Sequence, residues 1–213
     1  MEFNENIFVT AIGTDSGKTV VSAVLVEALG YNYWKPVQAG EPTDSNQIRQ
    51  LVPQAKVLPE GYKLALPMSP HAAARAEGLQ IDLNSFQCPQ DHKLIIEGAG
   101  GVLVPLNDQE SIADLISLLD VKVVLVSNLY LGSINHTLLT INELRRRGID
   151  LLGVVFNGEE NKESQDIILT HAKAPLLFHL PELDKIDSSV ISEFAAEIRL
   201  ELKKTLEYEL EGS

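Results

Sequence analysis

Lys18, Thr19, Lys35, Asp44 and Glu97 are the side chains of this 213-residue sequence whose types and placement suit phosphate chemistry. Lys18 and Thr19 stand in Gly17-Lys18-Thr19, between an apolar run at 7–11 and a helix-period segment at 18–29. In such a loop backbone N–H groups and a helix N-terminus converge on an anion, the lysine reaches the β and γ phosphates, and the hydroxyl can bind Mg2+. The usual pattern has a glycine at the position of Ile12; here Gly13 comes one place later. A solvated helix start that binds nothing is the bland alternative, but strand, loop and helix all fall where a phosphate loop requires them.

The carboxylates come from elsewhere in the chain. Glu97 ends "KLIIE" and runs into Gly98-Ala99-Gly100-Gly101, where a second metal-binding group of this kind of site belongs. Otherwise it is a turn glutamate. Asp44, in "GEPTDSNQ", fits a third metal ligand or an ordinary helix N-cap equally well. Lys35, in "NYWKPVQAG", is kept extended by the proline after it and would point towards the phosphates; taken alone it reads as a surface lysine.

Positioning these groups needs a sheet. Short apolar runs at 7–11, 31–37, 93–97, 121–127, 150–157 and 175–181 read as strands buried on both faces. The helix 18–29, stopped by Gly30, and amphipathic segments at 111–119, 133–147 and 161–173 alternate with them. That order predicts a three-layer α/β fold, a mostly parallel sheet with helices on both faces, in one domain over 1–213. Between 40 and 90 the pattern is less regular, though Ser69, Pro70 and Gly78 bracket a short helix. The segment 188–212 predicts one acidic helix with Val190, Ile191, Phe194, Ala195, Ile198 and Leu202 along one face.

A formal charge of −13 argues against an unaided nucleic-acid surface. The basic run Arg145-Arg146-Arg147 sits before Gly148 at a helix end, where cations complement the dipole. One cysteine, Cys88, excludes an intrachain disulfide, and His71, His92, His136, His171 and His179 show no zinc spacing. The start lacks a signal-peptide pattern and no apolar run reaches the roughly 20 residues that span a bilayer, so a soluble cytoplasmic protein is expected, with no membrane partner.

The segments "FVTAIGTDSGKT", "KPVQAG", "TDS", "SPHAAARAEG", "LIIEGAGGVLVPL", "LGSINHTLLT" and "FNG" together resemble the dethiobiotin synthetase family, in the family's order from about 7 to 183. "EGAGG" with "LGSINH" is more specific than the loop, which other ATPases share. The resemblance implies a P-loop NTPase-like fold and closure of the ureido ring of dethiobiotin from 7,8-diaminopelargonate, CO2 and ATP. It implies that Asp15, Ser16, Gly17, Lys18, Thr19 and Val20 wrap the phosphates, joined on the nucleotide by Gly98, Ala99 and Gly100. Thr19, Asp44 and Glu97 would bind Mg2+, and Lys18 and Lys35 would flank the transferred phosphoryl group. Asn157 with Gly158 matches the adenine-reading position, and Pro181, Glu182 and Leu183 match the later nucleotide-side loop. Thr14 and Ala39 would line the diamine. Gly132, Ser133, Ile134 and Asn135, with Ser133 as N-cap, would offer a helix N-terminus to the substrate carboxylate in the site of the other subunit of a homodimer.

There are departures. The family's Gly-Thr-Asp-Thr after the first strand is here Ala11, Ile12, Gly13, Thr14, with the span to "GKT" unchanged. Ala39 replaces a hydroxyl residue, so that one polar contact to the diamine is either lost or supplied by Gln38. The nearest rival is a partition or positioning ATPase, but such proteins carry an extra lysine early in the loop, and membrane-seeking ones end in a basic helix. An ATP ligase with a glutamine-hydrolysing domain finds no room in this length.

Overall fold

A computed structural model describes residues 3, 5–87 and 93–211, with side chains to 208. The expectations at Cys88, Gln90, His92 and Gly212 lie outside the described residues. Strands β1 (Ile7–Ala11), β2 (Asn32–Trp34), β5 (Leu94–Gly101), β6 (Lys122–Asn128), β7 (Leu151–Asn157) and β8 (Leu176–Leu180) form one sheet in the order β2-β5-β1-β6-β7-β8. Every recorded pairing in it is parallel. Strands β3 (Val37–Ala39) and β4 (Tyr62–Leu64) form a separate parallel pair.

The sheet is buried on both faces because its strands are apolar at successive positions. Ile7, Val9 and Ala11 of β1 join one core cluster, while Phe8 joins another. In β7, Val155 faces the first cluster, and Val154 and Phe156 a third. That alternation lets helices cover both sides. Helices α1 (Lys18–Leu29) and α2 (Asp44–Leu51) carry Val21, Leu25 and Ile48 into the first cluster. On the opposite side α4 (Ile112–Leu119) buries Ile112, Leu115 and Ile116, and α5 (Ser133–Arg146) and α6 (Lys162–Ala172) close over Leu125 and Phe156 with Ile141 and Ile168. The short α3 (Pro70–Ala76) follows Ser69 as expected, and Gly78 takes φ 69° just beyond it.

Gly30 ends α1 at φ 69°, with its N–H donating to Val26 O, a glycine-dependent stop. The last helix, α7 (Ser188–Glu211), covers the sheet: Ile191, Ala195, Leu202 and Leu206 are fully buried in the first cluster, with Phe194 and Ile198 packed beside them. Among the described residues no helix is long and apolar enough to cross a membrane.

Several boundaries differ from the sequence pattern, and β5 runs on through Gly101 instead of ending at Glu97. The run 31–37 is not one strand but β2 and β3 in different sheets. Pro36 has no N–H to give to a ladder, and its carbonyl instead accepts from the N–H groups of Gly61 and Tyr62 at 2.9 and 3.0 Å. The N-cap of α2 is Thr43, whose side chain accepts from Asn46 N–H, so Asp44 is released from capping. The N-cap of α5 is Gly132, at φ 111°, with Ser133 buried inside the first turn.

Candidate functional site

The chain order reverses around β1: the connection after it goes to β2 on one side, while the one after β5 crosses over to β6 on the other. In parallel α/β sheets the crevice beyond the carboxyl ends of the strands at such a point is where ligands bind. A cleft of about 760 Å³ opens there. Thr14, Asp15, Ser16, Gly17, Lys18, Thr19 and Val20 from the loop after β1, Lys35 from the end of β2 and Glu97, Ala99 and Gly100 from β5 all line it, with Ala39 and Asp44. A larger hollow, about 1230 Å³, lies around Glu5, Asn6, Phe86, Lys122 and Asp150 at the amino ends of the strands and touches none of these groups.

At its centre the side chains form one network. Lys35 Nζ lies 2.6 Å from Asp44 Oδ2 and 3.1 Å from Glu97 Oε1, and donates to Gly98 O at 3.0 Å. Lys35 and Glu97 are almost wholly buried, so neither is a surface or turn residue. Burial alone would push the Lys35 ammonium down. Glu97 and Asp44 outweigh it, and the pKa lies above the ordinary 10.5. Asp44 is the counterpart: burial raises its carboxyl, but the charge and hydrogen bond of Lys35, with Thr19, leave it below 3.8. Lys18 is lowered by burial and next by the nearby Lys35 charge. Two cations that disfavour each other face one cleft, an arrangement that an anion between them relieves.

Thr19 Oγ1 lies 3.0 Å from both Asp44 Oδ1 and Glu97 Oε1. A hydroxyl has one proton and can donate to only one of these at a time. Three hard oxygens crowded around that point are the donor chemistry that Mg2+ takes, usually with water and substrate phosphate completing the shell. The residues present therefore fit the ion. No group of three or more His, Cys, Asp or Glu suited to a metal occurs among the described residues.

The loop itself is shaped by Gly17, at φ 82°, and by Asp15, also left-handed at φ 56°. Gly13, the displaced glycine of the motif, has no positive φ, and a Cβ there would meet nothing. Its contribution is its carbonyl, which accepts from Lys18 Nζ and Ser16 Oγ, each at 3.1 Å. Asn157, at the end of β7, donates from Nδ2 to Ser16 O at 3.0 Å and so ties β7 to the loop. Gly158 N–H donates to Leu180 O, and His179 Nε2 is 2.8 Å from Gly158 O, which brings the turn after β8, with exposed Pro181 and Glu182 and partly buried Leu183, alongside Asn157. Gly132, Ser133, Ile134 and Asn135, at the start of α5, are not among the residues lining this cleft.

Two further residues, Tyr33 and Gln38, support this network. Tyr33 donates from its hydroxyl to Glu97 Oε2 at 2.9 Å. Gln38 is buried yet lines the cleft: its Oε1 accepts from Asp44 N–H at 3.0 Å and its Nε2 donates to Gly40 O at 3.2 Å. It braces the loop that delivers Asp44. Tyr33 had a signal, since strand alternation puts it on the same side as Lys35 two residues on. Gln38→Ala should lower unfolding free energy by about 1–3 kcal/mol, two hydrogen bonds at roughly 0.5–1.5 each. An unchanged denaturation midpoint would contradict the brace.

Residues 5–190 match the family described as AAA domain. Among curated proteins, the ATP-dependent dethiobiotin synthetase BioD of Cytophaga hutchinsonii is 56% identical over 90% of this chain and 95% of its own length. That of Christiangramia forsetii is 45% identical over 93% and 98%. Among solved structures, the MinC:MinD cell division complex of Aquifex aeolicus aligns with a TM-score of 0.58 at 15% identity, covering 98% of this chain and 96% of that one. A ParA family ATPase from Chlorobium tepidum aligns at 0.54 and 11%, over 90% and 98%. At such identities the solved structures establish the P-loop fold alone.

Proposed function

The chain belongs to the ATP-dependent dethiobiotin synthetase family, and on that premise we propose how its cleft, within a single domain spanning 1–213, closes a ureido ring with ATP. It is an ATP-dependent ligase of biotin biosynthesis, and the likeness to positioning ATPases goes no further than fold. The observation that carries the mechanism is the convergence of Lys18, Lys35, Thr19, Asp44 and Glu97 on one cleft beside the loop after β1, with Lys35 following β2, Asp44 opening α2 and Glu97 within β5.

One amine of 7,8-diaminopelargonate takes up CO2 as a carbamate, ATP phosphorylates the carbamate, and the second amine attacks the mixed anhydride and expels phosphate. Each step gathers negative charge around one carbon and one phosphorus. Lys35 holds the carbamate against the γ-phosphate, and Lys18 follows charge onto the bridging oxygens. Asp15 to Val20 wrap the phosphates, with Gly98, Ala99 and Gly100 behind them. Asn157, Gly158 and the turn Pro181 to Leu183 receive the base. Thr19, Asp44 and Glu97 hold Mg2+, which supplies Lewis-acid stabilisation of the transferring phosphoryl group. Thr14 and Ala39 flank the diamine. The start of α5 at Gly132 to Asn135, where Ser133 N–H already donates to Tyr130 O at 2.9 Å, offers a helix N-terminus to the substrate carboxylate, a role that places it in the cleft of a second subunit of a cytoplasmic homodimer.

Incubation with Mg-ATP and bicarbonate, with and without the diamine, tests the reading by mass spectrometry of the product and assay of ADP. Dethiobiotin formed in step with ADP, and only with the diamine, is the expected result. Diamine-independent hydrolysis would refute it. Glu97→Gln should raise the Mg2+ concentration that half-saturates ATP binding by about tenfold or more. An unchanged Mg2+ requirement would remove Glu97 from the ligand set.

A further inference from the structure

We propose that Tyr33 is a positioning residue of this site: its buried hydroxyl fixes the rotation of the Glu97 carboxylate so that one oxygen alone faces the metal. The inference rests on the reading of Glu97 as a ligand of Mg2+.

The two oxygens of Glu97 have separate surroundings. Oε1 meets Thr19 Oγ1 at 3.0 Å and Lys35 Nζ at 3.1 Å, on the side of the cleft. Oε2 accepts from Tyr33 OH at 2.9 Å, on the side of the core. Tyr33 is 0% exposed, and its ring sits in the apolar cluster of Ile7, Val9, Val24 and Ile95. Its backbone is held at both ends, with N–H donating to Lys56 O at 3.0 Å and C=O accepting from Leu58 N–H at 2.8 Å. A ring gripped in this way has little freedom to follow a moving carboxylate. The carboxylate must instead meet the hydroxyl.

Tyrosine is also an uncommon choice for full burial unless its hydroxyl has a fixed partner, and here that partner is a charge. The phenol donates its one O–H to Glu97 Oε2 at 2.9 Å, and an ionised carboxylate oxygen can only accept. Without that donor, Glu97 can rotate about its last bond and present either oxygen, or neither, to the cleft. Groups that orient a ligand from behind typically change metal affinity by about 10–100-fold when removed.

Tyr33→Phe keeps the ring and deletes the donor. The measurement is calorimetric binding of ATP across an MgCl2 titration, with no diamine or bicarbonate present, alongside melting temperature. The expected result is an Mg2+ half-saturation raised about tenfold, with ATP binding in EDTA unchanged. Tyr31→Phe is the control, because it removes another buried hydroxyl bond, Tyr31 OH to Phe3 O at 2.8 Å, outside the site. It should lower the melting temperature without moving the Mg2+ titration. In a Glu97→Gln background the Tyr33→Phe change should have less than about a twofold further effect, because coupled residues are not additive.

If Glu97→Gln shifts the titration and Tyr33→Phe behaves like Tyr31→Phe, the positioning role is overturned while the metal reading stands. If Glu97→Gln has no effect on the titration, both fall together.

Discussion

Lys35→Ala should reduce turnover by about a thousandfold, at the upper end of what loss of one stabilising group costs a transition state. ATP binding in Mg2+ should stay within about threefold of the parent, because the phosphates are held by the loop and Lys18 rather than by Lys35. The substitution has a second consequence that depends on the ion. In its absence Lys35 is the counter-charge for Asp44, at 2.6 Å, and Glu97, at 3.1 Å. Removing one partner of a buried ion pair leaves the others uncompensated, at about 3–5 kcal/mol. The variant should therefore melt well below the parent in EDTA and recover most of the difference in MgCl2, since the cation takes over the charge.

The pH dependence of that stabilisation follows from the directions of the two shifts. Lys35 is raised above 10.5, so its contribution is complete below that value and is lost as pH climbs through the higher folded pKa. Asp44 is depressed below 3.8, so its share is present above that value and is lost as pH falls through the lower one. Across neutral pH the pair stays charged, and the stability gap between parent and Lys35→Ala in EDTA should be flat from about pH 6 to 9. Turnover falling only in proportion to ATP affinity would remove Lys35 from the chemistry.

Much of this site could be read from the chain because its parts are local: an apolar run, a glycine-lysine-threonine turn and a helix are adjacent in sequence, and Glu97 closes an apolar run of its own. The parallel order of strands followed from burial on both faces. What the chain hid were partnerships between distant segments. Pro36 reads as the middle of a strand until Gly61 and Tyr62 are seen using its carbonyl. Asp44 reads as a cap until Thr43 is seen capping, and Ser133 reads as a cap until Gly132 is seen to turn the chain. Nothing in the sequence says that the Gln38 amide closes on Gly40 and Asp44. Tyr33 reads as core, which it is. Its second role appears only once β2 lies beside β5.

The displaced glycine leads to the other large effect. Gly17→Ala should weaken ATP binding by about a hundredfold, whereas Gly13→Ala should leave it within about threefold, a contrast worth about 2–2.7 kcal/mol. Gly17 stands at φ 82°, ψ 19°, where a Cβ costs roughly 1–2 kcal/mol. The added carbon would also lie 3.0 Å from Asn157 Cγ and overlap Nδ2, forcing the amide off Ser16 O and releasing the tie between β7 and the loop. That lost bond adds about 1 kcal/mol. Gly13 has neither constraint: its φ is ordinary, a Cβ there meets nothing, and the carbonyl that Lys18 and Ser16 use survives the change. Calorimetric titration of the two variants with Mg-ATP decides the matter. Equal losses would mean that the first turn of the loop needs glycine for contact with the nucleotide itself. A selective loss at Gly17 would mean that the loop keeps its grip through its second turn, and that Ala11 and Ile12 stand where glycine and threonine usually do because nothing at that end of the loop requires the space.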